Sequence, residues 1–471
     1  MKPLCCAILL LTLVGCAVGP NYRRPAVDAP PVFRGGDAQT NSLGDFGWPQ
    51  VFQDPALQHL IRTALTNNYD ARIAFSRVEQ AREIWNENRS LFLPSVIYQA
   101  NADLGKNTVN GSMINNGGKS QTYYAGSINA SWEIDLFGRI RRLNEAARAQ
   151  FFASSEARRD VMISLIAEVA QAYYQLLALD EEIRIAQDST NSFGQSMKIF
   201  NERYTGGVAS KLEVSSAQAL MASAATSVLE LQRQMIAQED AICYLLGVNP
   251  GPVARGSLSL AQEAPTDVPP GLPSSLLERR PDIREAEEDF HSANALVGVA
   301  KAEFFPRLVL TGLLGQVSSE ASTFMNGVNS AWNVGAGLAG PLWEAGALKA
   351  QHRAALAARE QARLQYLSTI LNAFRETSDA LAARQQLAFE RAQQIFAVEA
   401  YQESVKVANE RYTLGRASYY EVLQEEQLLF PAENTLAQIQ FNQMLAGVQL
   451  YRALGGGWPE PLPPSTAKSK Q

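Results

Sequence analysis

The chain has 471 residues, a net charge of −6 and a pI near 5.4, long enough for several domains or one extended repeat structure. The acidic balance argues against a nucleic-acid partner, which selects a basic face. Three scattered histidines, His59, His291 and His352, give no metal-ligand spacing. No GxxxxGK[ST] loop, HExxH helix or GxSxG elbow is present, so neither enzyme chemistry nor a metal or cofactor is expected.

At the start, Lys2 precedes an apolar run from Leu4 to Val14, too short to cross a bilayer and the right length for a signal-peptide core. It ends in Leu13-Val14-Gly15-Cys16. Two readings fit: an ordinary signal peptide ending near a cysteine, or a bacterial lipobox in which residues 1–15 are removed and Cys16 is lipidated. On the second reading, 16–60 is a lipidated N-terminal segment. Ala17 stands where an inner-membrane retention aspartate would otherwise be, which is compatible with the outer membrane. Cys5 and Cys6 leave with the signal, so Cys243 is the remaining thiol and no disulfide within the chain is expected.

Next comes a duplicated unit. Asn201-Glu202-Arg203-Tyr204-Thr205-Gly206-Gly207 returns as Asn409-Glu410-Arg411-Tyr412-Thr413-Leu414-Gly415, an offset of 409 − 201 = 208 that holds without a gap to Leu246-Gly247 and Leu454-Gly455. Upstream, Phe92-Leu93-Pro94 corresponds to Phe304-Phe305-Pro306, and Asp70-Ala71-Arg72 to Asp282-Ile283-Arg284. Residues 61–247 and 277–455 thus each read as a helix, two β-strands and a long helical hairpin. A Pro/Gly-rich connector, 248–276, separates them, and 456–471 is a C-terminal tail. The connector, the beginning and the end share a composition and are expected to lie together.

Within each unit, two segments alternate with period two. Val96, Tyr98, Ala100, Ala102 and Leu104 share one face; so do Tyr124, Ile128, Ala130, Trp132 and Ile134 within 122–135, and Trp332, Val334, Ala336, Leu338 and Leu342 within 329–343. The fourth segment, 307–316, is more uniformly apolar. Each is long enough for a tilted transmembrane strand of about 9–11 residues. Two readings stand: a soluble four-stranded sheet packed on helices, or strands in a membrane. In the latter, four cannot close a barrel, and open edges in lipid leave backbone groups unpaired, so copies must share one barrel.

Proline-free stretches from Gly138 to Tyr204 and from Gly346 to Thr413 predict two helices of roughly 100 Å each at 1.5 Å per residue. Leu165, Val169, Ala172, Leu176, Leu179, Ile183 and Ala186 alternate spacings of four and three, as do coiled-coil seams and core-facing stripes. Gly206-Gly207 and Gly415 supply the turn, and shorter helices return from Ser210 and Ser418.

Several phrases resemble those of the outer-membrane efflux lipoproteins of the OprM/NodT type, relatives of TolC. They are Cys16-Ala17-Val18-Gly19-Pro20-Asn21-Tyr22 with Pro25, Trp48 to Leu57, Ser131 to Arg139, Leu277 to Arg284, and Gly298-Val299-Ala300 through Pro306. The resemblance implies an α+β membrane protein, a homotrimer with a twelve-stranded β-barrel and a twelve-helix coiled-coil α-barrel. It also implies a periplasmic membrane-fusion adaptor and an inner-membrane pump, most simply of the RND type. The expected function is a passive outer-membrane, periplasm-spanning conduit for small toxic compounds or drugs. An exit duct of type I protein secretion and a membrane-tethered coiled-coil scaffold are the alternatives.

By the same resemblance the two turns are periplasmic tips that close the tunnel and meet the adaptor, which makes Arg203, Tyr204, Gly206, Gly207, Arg411, Tyr412 and Gly415 contact candidates. The arginines have two readings, ties between hairpins or caps on helix carbonyls. Tyr419, Tyr420, Glu421, Gln424 and Glu425 are the gate candidates, with Tyr420 as a steric plug. Gln424 departs from the family's acidic position. Glu425 and Glu426 fit either an acidic ring in a pore or a solvated outer face.

Overall fold

The computed structural model describes residues 17–34, 46–106, 108–109, 112–113, 120–256, 273–326 and 330–457. Cys16, the signal segment, most of the polar loop after Leu104, the middle of the connector and the tail lie outside the described residues. The chain divides into two compact units that cut across both repeats: 1–26, 77–155 and 285–367 in the first, 27–76, 156–284 and 368–471 in the second.

The first unit carries a four-stranded antiparallel sheet, β1 (Ser95–Lys106), β2 (Ser120–Ile134), β3 (Arg307–Ser318) and β4 (Ser330–Ala339), in sequence order across the sheet. β4 stops four residues short of the expected Trp343: Pro341 cannot donate to a ladder, and Leu342 and Trp343 are fully exposed beyond it. Register decides the faces. Tyr98 pairs with Ile128, Ile128 with Leu314 and Leu314 with Trp332, while Trp132 pairs with Leu310. The alternating residues of all four strands thus merge into one apolar face, and Val96, Tyr98, Leu104, Ile128, Leu314, Trp332, Val334 and Leu338 are exposed on it. Opposite lie Gln99, Asn101, Ser127, Asn129, Thr311 and Asn333, aligned by the same pairing. β1 and β4 each pair on one side only among the described residues.

Beneath the sheet, the segment after Ala17 is strapped to the strand-to-helix junction. Val18 N donates to Phe137 O at 3.0 Å, and buried Arg142 donates to Asn21 Oδ1 at 2.7 Å. Asn294 Nδ2 donates to Pro20 O at 3.0 Å, Tyr22 donates to Glu287 at 3.0 Å, and Arg24 pairs with Glu287 at 2.9 Å. Three of the quoted phrases meet here. Ala17 lies against Gly138, whose φ is +83°, and Gly19 lies against Gly298, so closely that a Cβ on either would collide with backbone.

Two 67-residue helices, α4 (Arg139–Thr205) and α8 (Ala347–Thr413), run without a break, as expected, and α4 passes through Gly194. The returning helices are α5 (Lys211–Leu246) and α9 (Tyr419–Ala453), the latter accommodating Pro431. Short α1 (Trp48–Val51), α2 (Pro55–Asn67), α3 (Tyr69–Ser90), α6 (Pro273–Arg279) and α7 (Pro281–Ala302) complete the set. In the second unit the main core takes Leu165, Val169, Leu176 and their neighbours from α4, together with Trp48, Phe52, Leu57, Ile242, Phe441 and Tyr451. Phe33 and Val253 join it, one from the N-terminal segment and one from the connector, as does Leu454 at the end of the second repeat. Asp54 caps α2 through Ala56 N at 2.8 Å and accepts the buried Tyr173 hydroxyl, which in turn accepts from Gly256 N at 3.0 Å.

Gly138 and Gly346 are repeat counterparts with φ +83° and +88°, but only Gly138 has the strap against it. Each change to alanine is expected to cost about 1–2 kcal/mol of backbone strain. Only Gly138→Ala should also displace the strap, raising the rate of proteolytic nicking within residues 17–26 well above that of Gly346→Ala. Equal nicking rates would refute the packing role.

Candidate functional site

The duplicated phrase builds two hairpin tips in the second unit. In the first, Val208 N and Ala209 N both donate to Arg203 O, at 2.9 and 3.2 Å; in the second, Arg416 N donates to Arg411 O at 2.8 Å. The left-handed residue is Gly207 in one turn and its counterpart Gly415 in the other, at φ +74° and +67°. Gly206 has no such demand on it, which is why Leu414 can take its place in the second copy.

Where the two hairpins meet, Phe193 and Phe200 of α4, Ala217 of α5, Ala408 of α8 and Tyr419, Val422 and Leu423 of α9 form a separate apolar cluster. Tyr419 stands edge-on to Phe200 at 5.4 Å and to Tyr412 at 4.8 Å, and its hydroxyl shares a 3.0 Å hydrogen bond with Ser196. The Arg203 guanidinium lies 5.9 Å from the Tyr412 ring centre. The Arg203 side chain thus reaches the other hairpin, while the turn is received by its backbone carbonyl rather than by its guanidinium.

Counterpart residues have taken different partners. Glu213 closes a capping box with Ser210, accepting Ser210 N at 2.6 Å while Ser210 Oγ accepts Glu213 N at 3.3 Å. Its counterpart Glu421 leaves Ser418 without a side-chain cap and pairs instead with Arg411 at 3.1 Å. Of the gate candidates, Tyr419 is buried within the chain, whereas Tyr420 and Gln424 are exposed and Glu425 is half-buried. Tyr204 and Arg411 are exposed, and Arg203 and Tyr412 are half-buried.

Glu426 departs most from the sequence reading, which left it facing a pore or outer solvent. It is 7% exposed; Oε1 accepts Ser192 Oγ at 2.6 Å, and Oε2 is buried with no partner in the structure. Burial pushes its carboxyl above the ordinary range and the Ser192 hydrogen bond opposes that; Tyr419 is the titratable neighbour from its own helix. Nothing in the periodicity marks it, because Glu425 and Glu426 are adjacent and only packing selects which turns inward. Ser192 and Ser196, one helical turn apart on α4, were likewise missed; serines inside a long helical stripe carry no special spacing.

Comparison with known proteins gives a consistent picture. The family model described as "Outer membrane efflux protein" matches residues 60–248 and 272–456. "Probable efflux pump outer membrane protein TtgC" of Pseudomonas putida is 33% identical over 96% of this chain and 95% of its own. "Cation efflux system protein CusC" of Escherichia coli is 32% identical over 97% of this chain and 99% of its own. The solved outer-membrane channel OprN superposes with a TM-score of 0.85 at 31% identity, covering 94% of this chain and 100% of that one.

The raised Glu426 carboxyl fixes the sign of a pH effect. Its contribution to hairpin packing is complete at acid pH and is lost as pH rises above 4.5 and through the elevated folded value. Hydrogen exchange in segments 192–200 and 419–430, corrected for its intrinsic pH dependence, should therefore quicken between acid and neutral pH. In Glu426→Gln that dependence should disappear; if the variant keeps it, Glu426 is not the titrating group.

Proposed function

Because the chain belongs to the outer membrane efflux protein family, we propose that three copies together build one conduit from the periplasm through the outer membrane. It is an outer-membrane efflux channel of the TolC-like fold. The observation that carries the trimer is the exposed apolar face of a sheet with two singly paired edges. In lipid each unpaired backbone group costs several kcal/mol, so the edges must find strands in other copies, and three copies supply twelve. The helices support the same count. Leu371, Phe389, Phe396 and Val407 form an exposed apolar stripe along α8, the expected seat for a neighbouring copy.

In this reading the two hairpin tips are the periplasmic gate. Tyr420, exposed next to the buried anchor Tyr419, is the steric plug; Gln424 and Glu425 line the same approach. Arg203 over Tyr412 and Arg411 on Glu421 hold the tips closed. A periplasmic adaptor engages the turns at Tyr204, Gly206, Gly207 and Gly415, loosening these ties, and an inner-membrane pump, of the RND type, supplies energy and selects cargo. Cys16 carries the lipid anchor. The conduit is passive and takes small toxic compounds; its relatives are named for cations, toluene and antibiotics, a breadth that supports leaving the choice of substrate to the pump.

Two outcomes test this. In planar bilayers, Tyr420→Ala should raise single-trimer conductance several-fold over the nearly closed parent, and unchanged conductance would remove the plug. Phe389→Asp combined with Phe396→Asp should abolish trimers in light scattering, since each lost apolar contact is worth about 1.5–3 kcal/mol per copy. Intact trimers would show that α8 is not the seam.

A further inference from the structure

The first unit contains an open cavity of about 570 Å³ directly below the sheet, between the end of α3, the start of α4 and α7. Its side of the protein can be read from the strand-to-helix junction. Trp132 belongs to the apolar sheet face, and its Nε1 donates at 3.0 Å to the carbonyl of Phe92, whose residue lines the cavity. Arg139 pairs at 2.8 Å with Glu133 on the polar sheet face, whereas Arg141, about 200° further round α4, lines the cavity. The cavity therefore opens on the lipid side, under exposed Leu91, Leu93 and Val96.

Its chemistry is mixed in a definite way. Arg148, exposed, lies 5.4 Å from the centre of the Phe152 ring and has no carboxylate partner among the described residues. Arg141 stands two turns earlier on the same face of α4, its Nε on Asp135 at 3.2 Å. Glu145, between the two arginines on α4, and Glu288, on the facing α7, flank His291 at 3.1 and 3.5 Å. These carboxylates hold His291 protonated, its pKa raised to about 9, and the ring is stacked on Tyr22 of the strap at 4.6 Å. A free phosphate would meet Arg148 but also two carboxylates. A zwitterion, anionic at one end and ammonium at the other, satisfies both walls, and Phe92 and Phe152 offer apolar surface continuous with the sheet face.

We propose that this cavity binds the headgroup of an aminophospholipid of the periplasm-facing leaflet, its phosphate on Arg148 and its ammonium towards Glu288, with its acyl chains rising along Leu93, Val96 and Trp132. The proposal rests on the sheet lying in the membrane. It gives the base of the barrel a fixed depth in the bilayer, and the strap that follows Cys16 shares its His291 wall.

Native mass spectrometry of the purified trimer tests the site, with phosphatidylethanolamine and phosphatidylglycerol added at equal concentrations. The expected result is retention of phosphatidylethanolamine at least tenfold over phosphatidylglycerol, falling tenfold or more in Arg148→Glu and partly in Arg148→Gln. Equal retention of the two lipids, or retention unchanged in both variants, overturns the site. So does an unlipidated parent trimer, which would mean that a neighbouring copy covers the cavity. Conductance of the same preparations keeps the two readings apart: conducting trimers without lipid selectivity refute the headgroup site and leave the channel standing.

Discussion

Backbone hydrogen bonding in lipid is the constraint on which the rest of this protein depends. A water-exposed edge strand can leave its amides to solvent, but one in hydrocarbon cannot. Among the described residues the sheet presents an apolar face and two singly paired edges, β1 and β4, in one chain. Oligomerisation is thus a condition of the membrane-embedded state rather than an addition to it. The same logic reaches the helices: α8 is 67 residues long and carries an apolar stripe that one chain leaves uncovered. Helices of that length draw their stability from partner surfaces rather than from intrinsic propensity.

Duplication supplied the parts and divergence supplied the work. Both hairpins use the same turn, with Gly207 and Gly415 in equivalent conformations. The acid that follows each turn has separated in role: Glu213 caps its own helix, and Glu421 has given up that cap to meet Arg411. A cap stabilises a single hairpin locally. An exposed pair such as Arg411 and Glu421 is worth little, about 0–1 kcal/mol. The tie that replaces the cap at the second tip is therefore the weaker and more reversible of the two. Glu426 adds a buried carboxyl with one unsatisfied oxygen at the same junction, which costs stability there.

In the first unit, glycines read as a family phrase acquire a mechanical meaning. Gly138 is needed because Ala17 packs on it, Gly19 because it lies on the backbone of Gly298, and Gly298 because the Arg142 side chain crosses it. The strap brings the residue after Cys16 to the base of the sheet, so an anchor there would act on the strand-to-helix junction itself. Arg142, buried in the middle of this contact, joins the strap to Glu145 at 2.8 Å and through it to His291.

Periodicity and the repeated phrase were enough, before any coordinates, to lead to two helical hairpins and four strands; the choice between a soluble sheet and a barrel shared among copies rested on the family resemblance. The hairpins and strands follow from spacings of two and of three to four, which are properties of neighbours along the chain. What tertiary structure alone decided lies between elements distant in sequence. Tyr419 and Tyr420 are adjacent and chemically alike, yet one is an internal anchor and the other is exposed. Glu426 is likewise buried where adjacent Glu425 is only half-buried, and Ser192 gains its meaning only from a residue on the other hairpin. The 100° step of a helix sends neighbours to different faces, but which face is covered depends on the partner that packs there. That choice is written in contacts, and no local pattern holds it.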